Sequence, residues 1–173
     1  ILIFYKSKNE NKLGYFQTEL IDAISPKYFD DKKRTSLLLS LSSILKILLP
    51  DSQPNNRIYN SVVNLINNLD EKNWYILYIF WELNLIKELG FDPNLSGYNK
   101  NELDNIDFKS LDIDGIKYQI PAFLIKNSIP RNIKNQLIRK SLLFTRSIMQ
   151  NKFFIPNNLL FPKSRVVLEN YFN

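Results

Sequence analysis

The sequence predicts a mainly α-helical domain carrying a small β-hairpin insert, with a terminal hairpin of a sheet ahead of it. Three observations predict it. Apolar residues between Trp74 and Leu89 recur at spacings of three and four, the period of a helix face. Strand-like alternation is confined to residues 1–24 and to the surroundings of Asp114-Gly115. Gly is scarce, at 4 residues, which suits helices with polar connections better than a Gly-rich phosphate loop.

The chain has 173 residues and 45% apolar content, enough to bury roughly two-thirds of its unfolded surface around one core. Lys and Arg outnumber Asp and Glu by 23 to 17, giving a net charge of +6 and a pI near 9.4, which suits a polyanion or an acidic peptide as partner. With no Cys and no His, thiol nucleophiles, Ser-His-Asp triads, Cys/His zinc sites and imidazole acid–base chemistry are all excluded. The longest apolar run, Trp74 to Leu89, is too short to span a bilayer and is interrupted by Glu82, Asn84, Lys87 and Glu88, so it reads as a buried helix. The chain opens on Ile1-Leu2-Ile3-Phe4-Tyr5, which reads as a strand in mid-sheet and leads us to expect a piece of a longer protein.

Taken in order, residues 1–6 and roughly 13–24 are β-like runs joined by the polar stretch Ser7 to Lys12. Ser25-Pro26 ends the second run. Asp30 or Asp31 is placed to cap a helix from about Lys32 to Leu49, which Pro50 closes. Pro54-Asn55-Asn56 precedes a second helix to about Leu69, and Asp70-Glu71 opens a third. In the third, Trp74, Leu77, Tyr78, Trp81, Leu85 and Leu89 mark the central core helix, and Gly90 falls where a left-handed C-cap belongs. From Asp92 to Asp114 six acids face two bases among Pro, Asn and Gly, so an excursion is expected over about 92–122. Asp114-Gly115, between Leu111/Ile113 and Ile116/Tyr118, is a two-residue hairpin signal inside it. Helix resumes over about Arg131 to Asn151 and Lys163 to Tyr171.

Charge concentrates at the end. The last 48 residues hold nine bases and one acid, Glu169. Arg139 and Arg146, two helical turns apart, project from one side of the penultimate helix, while Ile133, Leu137, Phe144 and Ile148 line another. One reading makes Arg131, Lys134, Arg139, Lys140, Lys152 and Lys163 a phosphate-contacting surface; the other makes them a solvated face. Glu82 stands in an otherwise apolar helix, where an unpaired carboxylate is costly, so it requires a partner. Arg146 or Arg165 is expected to pair with it and clamp the C-terminal helices onto the central one. Trp74, Tyr75, Tyr78, Phe80 and Trp81 have the spacing of core residues rather than of a base-stacking platform. Lys32-Lys33-Arg34 opposes the dipole at a helix start, which invites an external anion or leaves a hydrated basic turn. The acids between Asp92 and Asp114 lack calcium-loop spacing and read as a solvated loop.

The stretch Trp81-Glu82-Leu83-Asn84-Leu85-Ile86-Lys87-Glu88-Leu89-Gly90-Phe91 resembles the RecO family pattern of an aromatic, a Glu, a leucine-rich turn, then Leu-Gly-aromatic. Phe144-Thr145-Arg146 and Lys163-Ser164-Arg165 fall in that family's order and at about its spacing, and Tyr118 to Leu124 is similar to its segment joining insert to helix. Upstream, Leu13-Gly14-Tyr15-Phe16 through Glu19-Leu20 is similar to the closing strands of its N-terminal OB-type barrel. The resemblance therefore implies two parts: the terminal strands of an incomplete OB-fold domain at 1–24, mostly absent here, and the helical domain at 25–173. Two positions depart from the family. Tyr98 stands about where relatives place the first Cys of a metal set, so no metal is expected and no cofactor. Ile79-Phe80 replace the Arg that relatives set before the aromatic–Glu pair, where the Phe-ending acidic tail of single-strand-binding protein is implied to dock.

What the resemblance implies is a bacterial, cytoplasmic, nucleoid-associated recombination mediator that is not an enzyme and touches no membrane. It would bind single- and double-stranded DNA, anneal strands, and with RecR help RecA replace single-strand-binding protein. The alternative is a helical protein–protein interaction adaptor whose apolar grooves and basic rim hold an acidic peptide. An unrecognised hydrolase has no carboxylate pair in a pocket-forming segment to support it.

Overall fold

The computed structural model describes residues 2–7, 13–21, 23–51, 53–98, 103, 106–130 and 133–173. They divide into two compact units, residues 1–35 and 36–173.

In the first unit, β1 (Leu2–Lys6) and β2 (Tyr15–Glu19) pair antiparallel, with Leu2 opposite Glu19 and Tyr5 opposite Phe16. The Tyr5 and Phe16 rings are 5.4 Å apart, an aromatic cross-strand pair of the kind that holds a hairpin in register. Ile3, Tyr5, Tyr15 and Phe16 are nevertheless exposed. Pairing stops at Glu19, and a 3-10 turn at Ser25–Tyr28, with Pro26 at its start, leads to the first long helix, α1 (Lys32–Leu48). Asp31 caps it: Oδ1 accepts the backbone N–H groups of Lys33 at 3.1 Å and Arg34 at 3.0 Å.

The second unit is built around α3 (Trp74–Glu88), which buries Trp74, Ile76, Tyr78, Ile79, Trp81, Glu82, Leu85 and Ile86. A helix apolar on nearly every side must be covered from several directions. α2 (Asn56–Asn67) and α5 (Asn135–Met149) both pack on it, and α1 contributes Leu37, Leu41 and Ile44 to the core. α2 starts at Asn55, whose side chain accepts the Ile58 N–H at 3.0 Å. α3 stops at Gly90, at φ 98°, where Phe91 N–H reaches back to Ile86 O and Gly90 N–H to Lys87 O. That paired closure needs the left-handed residue which glycine supplies without strain.

The excursion is partly outside the described residues, at 99–102 and 104–105. Its second half is the expected hairpin. β3 (Phe108–Ile113) and β4 (Ile116–Pro121) pair with Ile113 opposite Ile116, and the turn residues Asp114 and Gly115 have φ of 52° and 80°. Two successive positive φ values make the primed turn whose twist matches the strands. Leu111, Ile113 and Ile120 are buried, β4 lies against α5, and Tyr118 meets the Phe144 ring edge-on at 5.4 Å.

Three further elements among the described residues have no counterpart in the sequence reading. α4 (Ala122–Lys126) is one buried turn or so directly after Pro121. At its far end α5 widens into a π-helix, Gln150–Phe154, closed by Ile155 N–H to Gln150 O at 2.9 Å. The wider turn presents successive side chains differently from an α-helix. Asn151 Nδ2 donates to Tyr118 Oη at 3.4 Å, while the Lys152 ammonium pairs with Asp114 and lies 4.5 Å from the Phe91 ring centre. The third is a 3-10 turn at Leu95–Gly97. The chain ends on α6 (Lys163–Asn170), packed on α5.

Candidate nucleic-acid interface

The centre of the helical unit is a buried ionic cluster that joins α3, α5 and α6. Arg165, inaccessible to solvent, donates from Nε to Glu82 Oε1 at 2.5 Å and from Nη2 to Glu82 Oε2 at 3.0 Å. This is the bidentate fork for which arginine is suited and lysine is not. Nη2 also reaches Leu142 O at 2.8 Å, and Thr145 Oγ1 donates to Glu82 Oε2 at 2.6 Å. Arg146 does not touch Glu82. It donates to Glu169 Oε1 at 3.5 Å and stands over the Phe161 ring at 5.5 Å. Glu169 Oε2 lies 3.6 Å from Arg165 Nη1, so its carboxylate sits between the two arginines.

Glu82, Glu169 and Arg165 are buried, and Arg146 balances the second acid from a half-buried position. Burial alone would depress the Arg165 pKa, but the Glu82 carboxylate overrides it and holds the guanidinium above its ordinary value. Beside it, burial first and the Glu82 charge next push the Tyr78 phenol well above its ordinary value. Tyr78 Oη shares a hydrogen bond with Ser40 Oγ at 2.7 Å. Arg165 Nη1 and Glu169 Oε2 approach to 3.6 Å without a hydrogen bond, and the other contacts tie each member of the cluster to another, as in a clamp. The sequence reading gave Thr145 and Glu169 no part in this cluster, although Glu169 lies one helical turn from Arg165.

The basic residues of the C-terminal helices divide into two groups. Lys134, Arg139 and Lys140 are exposed along the start and middle of α5, and Lys163 is exposed where α6 opens. α5 contains no acid. Lys152 is half-buried and held by Asp114 and Phe91, and Arg146 is turned to Glu169, so neither projects with the first group. Arg131 lies outside the described residues.

At the start of α1 the picture is different. Arg34 Nη1 lies 2.5 Å from Asp31 Oδ2, and its guanidinium is 6.0 Å from the Tyr28 ring centre. An internal carboxylate therefore already occupies the helix terminus, with Lys32 and Lys33 exposed around it.

Phe80 separates two grooves. One, of about 490 Å³ between α2 and α3, is lined by Ser61, Asn64, Leu65, Leu77 and Trp81 among others, with no charged side chain. The other, of about 310 Å³, includes Leu83, Leu95, Leu124 and Lys87, whose ammonium is 2.8 Å from Asp92. Trp74, Tyr78 and Trp81 are buried, and Tyr78 stacks on Trp81 at 5.6 Å. Among the described residues no group of three or more His, Cys, Asp or Glu is arranged to hold a metal, and no helix is long and apolar enough to cross a membrane.

Residues 30–102 match the family model described as Recombination protein O C terminal. The chain is also similar to proteins named DNA repair protein RecO. It is 33% identical over 94 residues to that of Wolbachia sp. subsp. Drosophila simulans (strain wRi), covering 53% of this chain and 39% of the relative. With that of Ehrlichia chaffeensis (strain ATCC CRL-10679 / Arkansas) the identity is 34% over 96 residues, 54% of this chain and 39% of the relative. With that of Anaplasma marginale (strain Florida) it is 31% over 108 residues, 61% and 45%. The matches thus span less than half the length of these relatives. No solved structure matches. The stretch that matches the family's C-terminal model holds the central helix α3 with Glu82, and it is this part of the chain that is similar to the RecO proteins.

Proposed function

We propose that this chain acts in DNA repair and recombination as a mediator that binds single- and double-stranded DNA through its C-terminal helices. The observation that carries the reading is the acid-free helix α5, which exposes Lys134, Arg139 and Lys140, followed by exposed Lys163 at the start of α6. Cations spaced along a rigid helix can track phosphates, with an affinity that salt weakens steeply. The buried cluster of Glu82, Arg165, Thr145, Glu169 and Arg146 would hold that helix in place without touching DNA. Strand annealing, and help from RecR in loading RecA on DNA coated with single-strand-binding protein, follow as the further role; the chemistry is electrostatic and forms no covalent bond.

The test is binding of the chain to a fluorescent single-stranded oligonucleotide across a salt series, with Arg139→Ala alongside. We expect salt-sensitive binding that Arg139→Ala weakens while the fold is retained. In parallel, an acidic Phe-terminated peptide is titrated. The grooves beside Phe80 favour the adaptor reading in shape, but one carries no charge and the other's Lys87 is held by Asp92. Peptide binding without oligonucleotide binding would replace the mediator by the adaptor.

A further inference from the structure

One cation of the C-terminal helices is held by the tip of the hairpin insert. Asp114 forms an ion pair with Lys152, whose ammonium also lies 4.5 Å from the Phe91 ring centre. Lys152 stands in the π-helix Gln150–Phe154, and the residue before it, Asn151, donates to Tyr118 Oη at 3.4 Å. In an α-helix two consecutive side chains diverge by about 100°. Here the widened turn gives both of them partners on the hairpin.

Asp114 suits this position for two reasons. Its φ of 52° is left-handed, a conformation that Asp and Asn tolerate and that the turn before Gly115 requires. It is also the last acid of the sequence before Glu169, which is held between Arg146 and Arg165. Asp112, the other carboxylate of the hairpin, turns Oδ1 to the Gly115 N–H at 2.9 Å. The hairpin does not depend on the ion pair for its place, because Leu111, Ile113 and Ile120 are buried and Tyr118 meets the Phe144 ring. The pair itself is open to solvent, its Lys and Asp side chains 31% and 58% exposed. Such a pair shifts an equilibrium by no more than about fivefold. An external anion can therefore displace Asp114 while the hairpin stays docked.

We infer that Asp114 is an internal competitor, which occupies Lys152 in the free chain and gives it up to a phosphate of bound nucleic acid. This rests on the DNA-binding reading above and adds a regulated contact to it. Neither residue lies in the stretch 30–102 matched by the family model. α5 runs without a break into the π turn, so Lys140 and Lys152 lie about 18 Å apart along one axis, the length of about five nucleotides of a strand. A nucleic acid that follows α5 from Lys134 and Arg139 toward its far end comes level with Lys152. Contacts already made along the helix raise the local concentration of phosphate there, which favours its exchange for the carboxylate. The consequence is a lower affinity than the cations alone would give.

The experiment is a double-mutant cycle of Asp114→Asn and Lys152→Gln, with Asp112→Asn as a control that removes the same charge from the same hairpin. Asn-Gly is a favoured pair for this turn, so Asp114→Asn keeps the fold, which far-UV circular dichroism and a thermal melt verify. Each variant is titrated with a single-stranded oligonucleotide at several salt concentrations. Asp114→Asn should tighten binding by up to about fivefold at low salt, more than Asp112→Asn does, and the gain should vanish in the Lys152→Gln background. Lys152→Gln alone should weaken binding and lower the slope of log affinity against log salt by about 0.7. Acylation of Lys152 by a water-soluble ester, followed by peptide mass, reads the same residue directly. It should be faster in Asp114→Asn than in wild type, and the oligonucleotide should slow it in the variant. A gain that survives Lys152→Gln, or acylation that the oligonucleotide leaves unchanged, would overturn the competition and, with Arg139→Ala still weakening binding, leave the DNA-binding reading standing. If neither wild type nor Asp114→Asn binds the oligonucleotide, both fall. Protection of Lys152 by polyglutamate and not by the oligonucleotide would give it to an acidic protein partner instead.

Discussion

Arg165 Nε lies 2.5 Å from Glu82 Oε1, and neither side chain is accessible to solvent. The pair joins α6, at the end of the chain, to the middle of α3. Removing one partner would leave an uncompensated charge in the interior, which costs about 3–5 kcal/mol. Arg165→Met and Glu82→Leu should each lower the unfolding free energy by about that much in a urea titration. The double variant, with both charges gone, should be less destabilised than the sum of the two, and strict additivity would show that the pair is not coupled.

Thr145 tests the same clamp more gently. Its hydroxyl gives Glu82 Oε2 a hydrogen bond at 2.6 Å from a fully buried position. Thr145→Val keeps the volume and removes the donor, at a cost of about 1–3 kcal/mol. Thr145→Ser keeps the donor and should recover most of that in the same titration. If Ser is as damaging as Val, the methyl group and not the hydrogen bond is what matters there.

How these contacts relate to the sequence differs from one to the next. Glu82 announced its need for a cation because a lone carboxylate among Trp, Leu and Ile has no solvent to turn to. Which arginine would meet it was not legible, since Arg146 and Arg165 both sit on C-terminal helices and the choice depends on how α6 docks. The ends of α1, α2 and α3 and the turn of the insert were legible because Asp31, Asn55, Gly90 and Asp114-Gly115 act on their own immediate backbone. The π-helix at Gln150–Phe154 has no such local marker; it accompanies side-chain contacts to Tyr118, Asp114 and Phe91 that lie far away in sequence.

Asp31 gives a prediction in pH. Partial burial, the largest single influence, raises its pKa, but the Arg34 amide and guanidinium and the Lys33 amide together bring it below the ordinary 3.8. A carboxylate with a depressed folded pKa contributes stability that is complete above the unfolded value and is lost as pH falls through the folded one. Asp31→Asn keeps a capping oxygen and removes the charge. The stability difference between wild type and this variant should be constant above about pH 5 and should shrink below about pH 3.8. A difference that persists undiminished to about pH 2 would mean that the charge of Asp31 contributes nothing.

Arg139 and Arg146 are two turns apart on one helix, and the same substitution should act on different properties at each. Arg139 is exposed at a position where the helix carries no acid. Arg139→Ala should leave the melting temperature within about 2 °C of wild type, as surface substitutions usually do. It should weaken oligonucleotide binding and lower the salt slope by about 0.7. Arg146 is half-buried, bonded to Glu169 and stacked over Phe161, so Arg146→Ala leaves Glu169 with Arg165 as its remaining cation. Its effect should be a loss of about 1–3 kcal/mol in stability, with the salt slope of the folded fraction unchanged. The two variants are compared by thermal melt and oligonucleotide titration on the same preparations. A lowered salt slope for Arg146→Ala would mean that this guanidinium leaves Glu169 to meet phosphate, and the separation of clamp from DNA surface would fail.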